Sequence, residues 1–228
     1  MSERRSRLVP SEIHADLAAS LTALRRTLEV PDSFDPEVEA EAAAAAREVL
    51  TDPATAALAD LRGIEFLTID PEGSTDLDQA LHLERTSTGG VLHYAIADVP
   101  AYVRPGGRVD AEARRRGQTL YAPDGRVPLH PTVLSEDAAS LLPDRDRRAF
   151  VWRFDLDDGA RPLRTTLTRA VVRSRHQWDY ASAQRAIDDG TAPGTLAAMP
   201  WFGGERGERE RERGGASLNL PESRIVAE

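Results

Sequence analysis

The sequence predicts an α+β protein: a mostly antiparallel sheet with helices packed on it, preceded by a helical N-terminal segment. Three features carry that prediction. Apolar residues recur at helical spacing before residue 55, five later stretches are rich in β-branched and aromatic residues, and no internal repeat occurs. Ser11 is a candidate cap for a helix whose Ile13, Leu17, Leu21, Leu24 and Leu28 form one apolar stripe, ended by Pro31. Asp35 and Pro36 form a cap and first-turn pair for a second helix, with Val38, Ala42, Ala45, Ala46 and Val49 on one side. This helical pair, residues 1–55, is expected to pack through its Leu/Ala stripe on the unit that follows, residues 56–228.

In that unit strands are expected at 63–70, 80–86, 91–98, 149–156 and 162–175. Helices are expected at 110–116, with Asp110 as cap and Gly117 as stop, and at 179–188 after Trp178. Turns rich in Gly or Pro fall at 104–107, 190–194 and 203–206.

Composition bounds the function. A hydrophobic content of 40% can supply a core, and the lack of any cysteine excludes disulfides, thiolate metal sites and a catalytic thiol. The Ala-rich stretch 40–46 is too short for a secretory or membrane-spanning run and is interrupted by Glu, which points to the cytoplasm. A net charge of −9 opposes a nucleic-acid partner unless positive charge is local. Arg, which forks to phosphate oxygens as Lys cannot, gathers at 114–116, 145–148, 161–173 and 206–213.

The most specific feature lies between two strand-like runs, where Asp70, Asp76 and Asp78 sit in a polar, Gly-containing turn. Asp76 and Asp78 share a face of an extended segment, and the turn can bring Asp70 back towards them. Carboxylates this close repel one another unless a cation lies between them. Hard oxygen donors around a small gap suit Mg2+, or Mn2+, which keeps waters for substrate phosphates. The spacing does not match a calcium EF-hand loop.

The residues around the turn resemble a known series. Thr68–Ala80 (TIDPEGSTDLDQA) resembles the opening motif of the ribonuclease II family's catalytic domain, the RNB domain. His93–Val99 (HYAIADV), Asp110–Gly117 (DAEARRRG) and Thr119–Asp124 (TLYAPD) look like its next motifs, in order. Val127–Pro131 (VPLHP), Leu134–Pro143 (LSEDAASLLP), Arg148–Trp152 (RAFVW) and Ala170–Ser174 (AVVRS) continue the likeness, with a looser one at Arg213–Glu222.

The resemblance implies the same α+β fold and 3′-to-5′ hydrolysis of single-stranded RNA to nucleoside 5′-monophosphates with a divalent metal. By motif position Asp70, Asp76 and Asp78 match three of the family's four site aspartates, and Asp78 the one on which family activity most depends. Gln79 stands where the family usually has the fourth, and a neutral carbonyl is the weaker ligand. Tyr121 matches a tyrosine that stacks on nucleotides, and Arg114, Arg115 and Arg116 are candidates to reach the RNA backbone. Asp98 reads as a structural acceptor, and His93 and His130 as structural residues.

The cold-shock-type modules often found at this end of relatives have no strand pattern here. The family's downstream Thr-Ser-Pro-x-Arg-Arg segment does not occur, so the chain is expected to be the N-terminal part of such a domain. A non-catalytic RNA-binding or interaction module on the same scaffold is the second expectation.

Overall fold

A computed structural model describes residues 12–31, 33–122 and 125–216. The candidate cap Ser11, and residues 217–222 of the looser likeness, lie outside the described residues. Helix α1 spans Glu12–Thr27 and α2 spans Pro36–Glu48. Asp35 caps α2 as its sequence predicts, its carboxylate accepting from the Glu37 N–H at 2.8 Å. The predicted face of α2 is core: Val38, Ala42 and Val49 are buried with Ala45 and Ala46 packed beside them. The α1 stripe differs from expectation, since Leu24 and Leu28 are 52% and 64% exposed. The apolar seat is already filled by α2, which packs on helix α4 (Arg108–Arg116) and on a π-helical turn at Leu134–Ala138.

The expected cap of α4 also differs. Gly107 is the capping residue, and Glu41 of α2 reaches across to accept from the Arg108 and Val109 N–H groups at 3.0 and 3.2 Å. A tertiary carboxylate thus satisfies the free amides of the first turn. Asp110 instead accepts from the Gly106 N–H at 2.8 Å. Gly117 does end the helix, with φ 77°, a conformation that favours glycine.

Short helix α3 (Pro53–Ala56) leads to the strands β1 (Ala59–Asp60), β2 (Phe66–Asp70), β3 (Gln79–Thr86) and β4 (Gly89–Ala97). A small antiparallel pair, β5 (Leu120–Ala122) and β6 (Gly125–Val127), precedes the long β7 (Asp146–Asp157) and β8 (Pro162–Asp179). The main sheet runs β1-β8-β2-β3-β4-β7, with β8 also paired to β7. One half of β8 pairs antiparallel with β7 and its far end pairs parallel with β2, so the sheet closes into a ring. Most of its pairings are antiparallel, as expected; the parallel ones are those that β8 makes with β1 and β2.

Small side chains make the ring tight. Ala97, Ala149 and Ala170 lie in register across β4, β7 and β8, and Ala80 faces Ala95. They share a core with Phe66, Val151 and Val172. Outside the ring, α5 (Tyr180–Asp188) and α6 (Gly194–Glu212) cover β2 and β3, with Leu67 and Leu83 packed against Leu196 and Ala198.

Helix α6 runs straight through the turn expected at 203–206, carrying Pro200 inside it. Packing overrides the Gly/Pro signal: Trp201 donates to the Asp158 carbonyl at 2.9 Å and lies so close to Gly90 that a Cβ there would meet its ring at 2.8 Å. No helix among the described residues is long and apolar enough to cross a membrane.

Asp98, just past β4, is fully buried. Its carboxylate accepts from Arg148 Nε at 3.1 Å and from Arg169 Nε and Nη2 at 2.7 and 2.8 Å, and Arg148 goes on to Thr55 at 3.0 Å. Removing one side of a buried pair leaves the other charged and unpaired. Asp98→Ala is therefore expected to lose about 3–5 kcal/mol in urea denaturation. Arg211→Ala, which breaks an exposed pair with Glu208, should change stability by less than about 0.5 kcal/mol. Equal losses for the two variants would refute the assignment.

Candidate functional site

The acidic turn joins β2 to β3, and its backbone is held from three sides. The Ser140 hydroxyl accepts from the Leu77 N–H at 2.9 Å and donates to the Thr75 carbonyl at 2.6 Å. The Asp78 carbonyl accepts from the Ala97 N–H at 2.9 Å, and the Ser74 carbonyl from Gln177 Nε2 at 2.8 Å. Gly73, at φ 77°, makes the bend that a side chain would resist. Leu77 is fully buried between Asp76 and Asp78, which leaves both carboxylates on the accessible side.

Asp70 feels the charges of the other two aspartates. The Asp70 carboxyl is pushed up to about 6, first by its own burial and then by the negative charges of Asp78 and Asp76. The same charges reach two tyrosines. The Tyr94 phenol is raised by burial and by Asp78 and Asp70, and the Tyr180 phenol by burial and by Asp70. Tyr94 donates its hydroxyl hydrogen to Gln79 Oε1, so the carbonyl of the residue that departs from the family pattern already has a partner.

Asp76 is engaged from the opposite side. Arg126 of β6 places Nη1 2.8 Å from Asp76 Oδ2 and Nη2 2.8 Å from Glu136 Oε1. Glu136 also accepts from the Thr75 hydroxyl at 2.9 Å. Among the described residues no group of three or more His, Cys, Asp or Glu side chains stands close enough to hold a metal ion. Asp70 and Asp78 nevertheless fit a hard divalent cation. They are carboxylates set close enough to repel, and magnesium is commonly held by one or two carboxylates with water and substrate phosphate completing the shell.

Asp76 and Asp78 open onto a cleft of about 260 Å³. Tyr121, Arg126, His130 and Ser135 stand among its other walls. Tyr121 is 60% exposed and faces Arg126 across the β5–β6 pair. His130 is lowered by burial, which leaves it neutral near pH 7. His93 is likewise lowered by burial, and packs edge-on against Phe66 inside the ring. Asp98 is the structural acceptor its sequence context suggests.

The three consecutive arginines of α4 are not gathered at this cleft. Arg114 pairs with Asp110, and Arg115 with Glu112. Arg116 corrects the expectation of an RNA contact. Its side chain is 3% exposed, bound to Glu112, the Pro128 carbonyl and the Ser33 carbonyl, and laid over the Phe34 ring. Sequence reading followed runs of arginine and so passed over Arg126, which is isolated. Its one signal is its place between Tyr121 and the Val127–Pro131 stretch.

Comparison with known proteins agrees in one direction. The model of the RNB domain family matches residues 58–216. The human exosome complex exonuclease RRP44 is 34% identical over 73% of this chain and 18% of its own length. Ribonuclease R of Escherichia coli is 37% identical over 68% of this chain and 19% of its own. The chain thus spans about a fifth of the length of these relatives. The apo form of Mycoplasma genitalium RNase R superposes with a TM-score of 0.85 at 26% identity, over 93% of this chain and 34% of that one.

The Asp70 shift has a consequence for stability. Folding raises this carboxyl from the ordinary 3.8 to about 6, so the folded chain binds the proton more tightly than the unfolded one. That contribution is present at low pH and is lost as pH climbs from about 4 to about 6, leaving a penalty above. Asp70→Asn is expected to stabilise the chain by roughly 1–2 kcal/mol near pH 7, after allowance for solvent screening, and not at all below about pH 4. Urea denaturation across pH measures it; a gain independent of pH would contradict the raised Asp70 carboxyl.

Proposed function

The chain belongs to the RNB domain family, and on that footing we propose that it serves a 3′-to-5′ exoribonuclease that hydrolyses single-stranded RNA to nucleoside 5′-monophosphates. The observation that carries the reading is the backbone-fixed acidic turn, which sets Asp76 and Asp78 in the wall of an open cleft that Tyr121 also lines, with the Asp70 carboxyl raised by its burial and by their charges. Residues 1–55 are proposed as a helical segment set before the catalytic unit that starts at 56, in keeping with a family match beginning at 58. A cytoplasmic location goes with such a substrate and belongs to the same proposal.

In this reading Asp70 and Asp78 hold Mg2+, with Mn2+ as the alternative, and Asp76 orients water or completes the ligand set. Bound there, the cation supplies Lewis acidity towards a phosphoryl oxygen. Water adds to phosphorus, the bond to the 3′ oxygen of the penultimate nucleotide breaks, and the terminal nucleotide leaves with its 5′-phosphate. Gln79 stays with Tyr94 and does not act as a ligand. Tyr121 offers its exposed ring to bases of any identity, and Arg114 and Arg115 lie outside the cleft as further candidates for the RNA backbone.

A second reading, a non-catalytic RNA-binding module, draws on the absence of three close ligands among the described residues and on the Arg126 pair with Asp76. Hydrolysis separates the two. With Mg2+, single-stranded RNA should release mononucleotides, EDTA should stop the release, and Asp78→Asn should cut the rate about a hundredfold or more, because a loss of several kcal/mol in charge stabilisation costs tenfold for each ~1.4 kcal/mol. Salt-sensitive binding with no hydrolysis would establish the module instead. Tyr121→Ala should weaken RNA binding by about 1–3 kcal/mol, while Tyr121→Phe should hold it, as read by fluorescence anisotropy.

A further inference from the structure

Among the described residues Arg126 is the one guanidinium in the wall of the cleft. Arg116 and Arg148 are buried in fixed pairs, and Arg169 is spent on Asp98. Arg126 differs in that its partners as well as its own side chain are accessible: it is 29% exposed, and Asp76 and Glu136 are 33% and 28% exposed. Ion pairs this accessible are held weakly. The guanidinium also carries more N–H donors than its contacts with Asp76, Glu136 and Thr75 use.

Its position is as telling as its pairing. Tyr121 and Arg126 are directly opposed in the β5–β6 register, so their side chains lie on one face of that pair. A nucleotide whose base lies on the Tyr121 ring therefore carries its phosphates past the guanidinium. The surrounding charge is unfavourable to that phosphate, with Asp76, Asp78 and Glu136 close by and His130 neutral. A single arginine must meet the anion, and its planar fork matches phosphate oxygens better than it matches two separate carboxylates.

We propose that Arg126 is the substrate-phosphate contact of this cleft, parked on Asp76 and Glu136 in the free chain and transferred to a phosphodiester oxygen when single-stranded RNA lies along Tyr121. The inference rests on the RNA reading above and adds to it a named residue and an exchange of partners. Asp76 then has two roles: it keeps the guanidinium in place before substrate arrives, and it is left free once substrate has taken it.

The exchange is tested by binding of a fluorescent oligouridylate to the full chain in EDTA across a salt series. Arg126→Ala should bind about tenfold or more weakly, and its plot of log affinity against log salt should be shallower by about 0.7, the share of one phosphate on a single strand. Arg126→Lys keeps the charge and should keep the slope while losing part of the affinity. Asp76→Asn releases the guanidinium and should tighten binding, a gain that vanishes in the Asp76→Asn, Arg126→Ala double variant.

A slope unchanged in Arg126→Ala, or a gain from Asp76→Asn that survives without Arg126, overturns the inference while RNA hydrolysis by the unaltered chain leaves the functional reading standing. Absence of RNA binding by the unaltered chain overturns both. Should Arg126→Ala fail to fold, as judged by circular dichroism, Arg126→Gln reads the same slope.

Discussion

Asp98 is a fully buried carboxylate shared by Arg148 of β7 and Arg169 of β8, and its own backbone N–H donates to the Arg148 carbonyl at 3.0 Å. One side chain therefore joins the end of β4 to both long strands that close the ring. Through Arg148 it also reaches Thr55 in α3, and Thr55 in turn bonds the Val49 carbonyl at the end of α2. Such a network stabilises little relative to an apolar core, but it is costly to break, so it enforces one arrangement. The next residue back, Ala97, donates its N–H to Asp78. The position of the acidic turn is thus set by the same strand end.

Against that rigid frame the turn is under electrostatic load. Its backbone is fixed by Ser140, Gln177 and Ala97, so the carboxylates cannot relax apart by moving the chain. The load is relieved in three ways within the site. Asp70 holds its proton towards neutral pH, Asp76 takes Arg126, and Asp78 remains exposed to solvent. In the function proposed above, a divalent cation would meet the carboxylates and an RNA phosphate the guanidinium.

Much of this was legible in the residues. The α2 stripe and its Asp35 cap, the five expected strands and the Gly117 stop all follow from local periodicity and turn chemistry. The acidic turn was legible because its spacing puts Asp76 and Asp78 on one face. Where local rules failed, a distant residue had supplied what the local one was expected to supply. Glu41 replaced Asp110 as the cap of α4, and the outer face of β2 and β3 held α6 helical through Pro200 and Gly203. Arg116 read as a surface cation because the Phe34 ring and the Ser33 carbonyl that bury it are remote in sequence.

The acidic turn and the alternation of the strands were decided by the sequence alone, since each depends on residues within a few positions of one another. The closure of the ring by the two ends of β8, the Asp98 network and the pairing of Arg126 with Asp76 were decided only by the tertiary structure. The partners in the β2–β8 pairing, in the Asp98–Arg148 contact and in the Arg126–Asp76 pair lie 50 or more positions apart. At such separations neither periodicity nor propensity carries information about who meets whom, and packing and charge do.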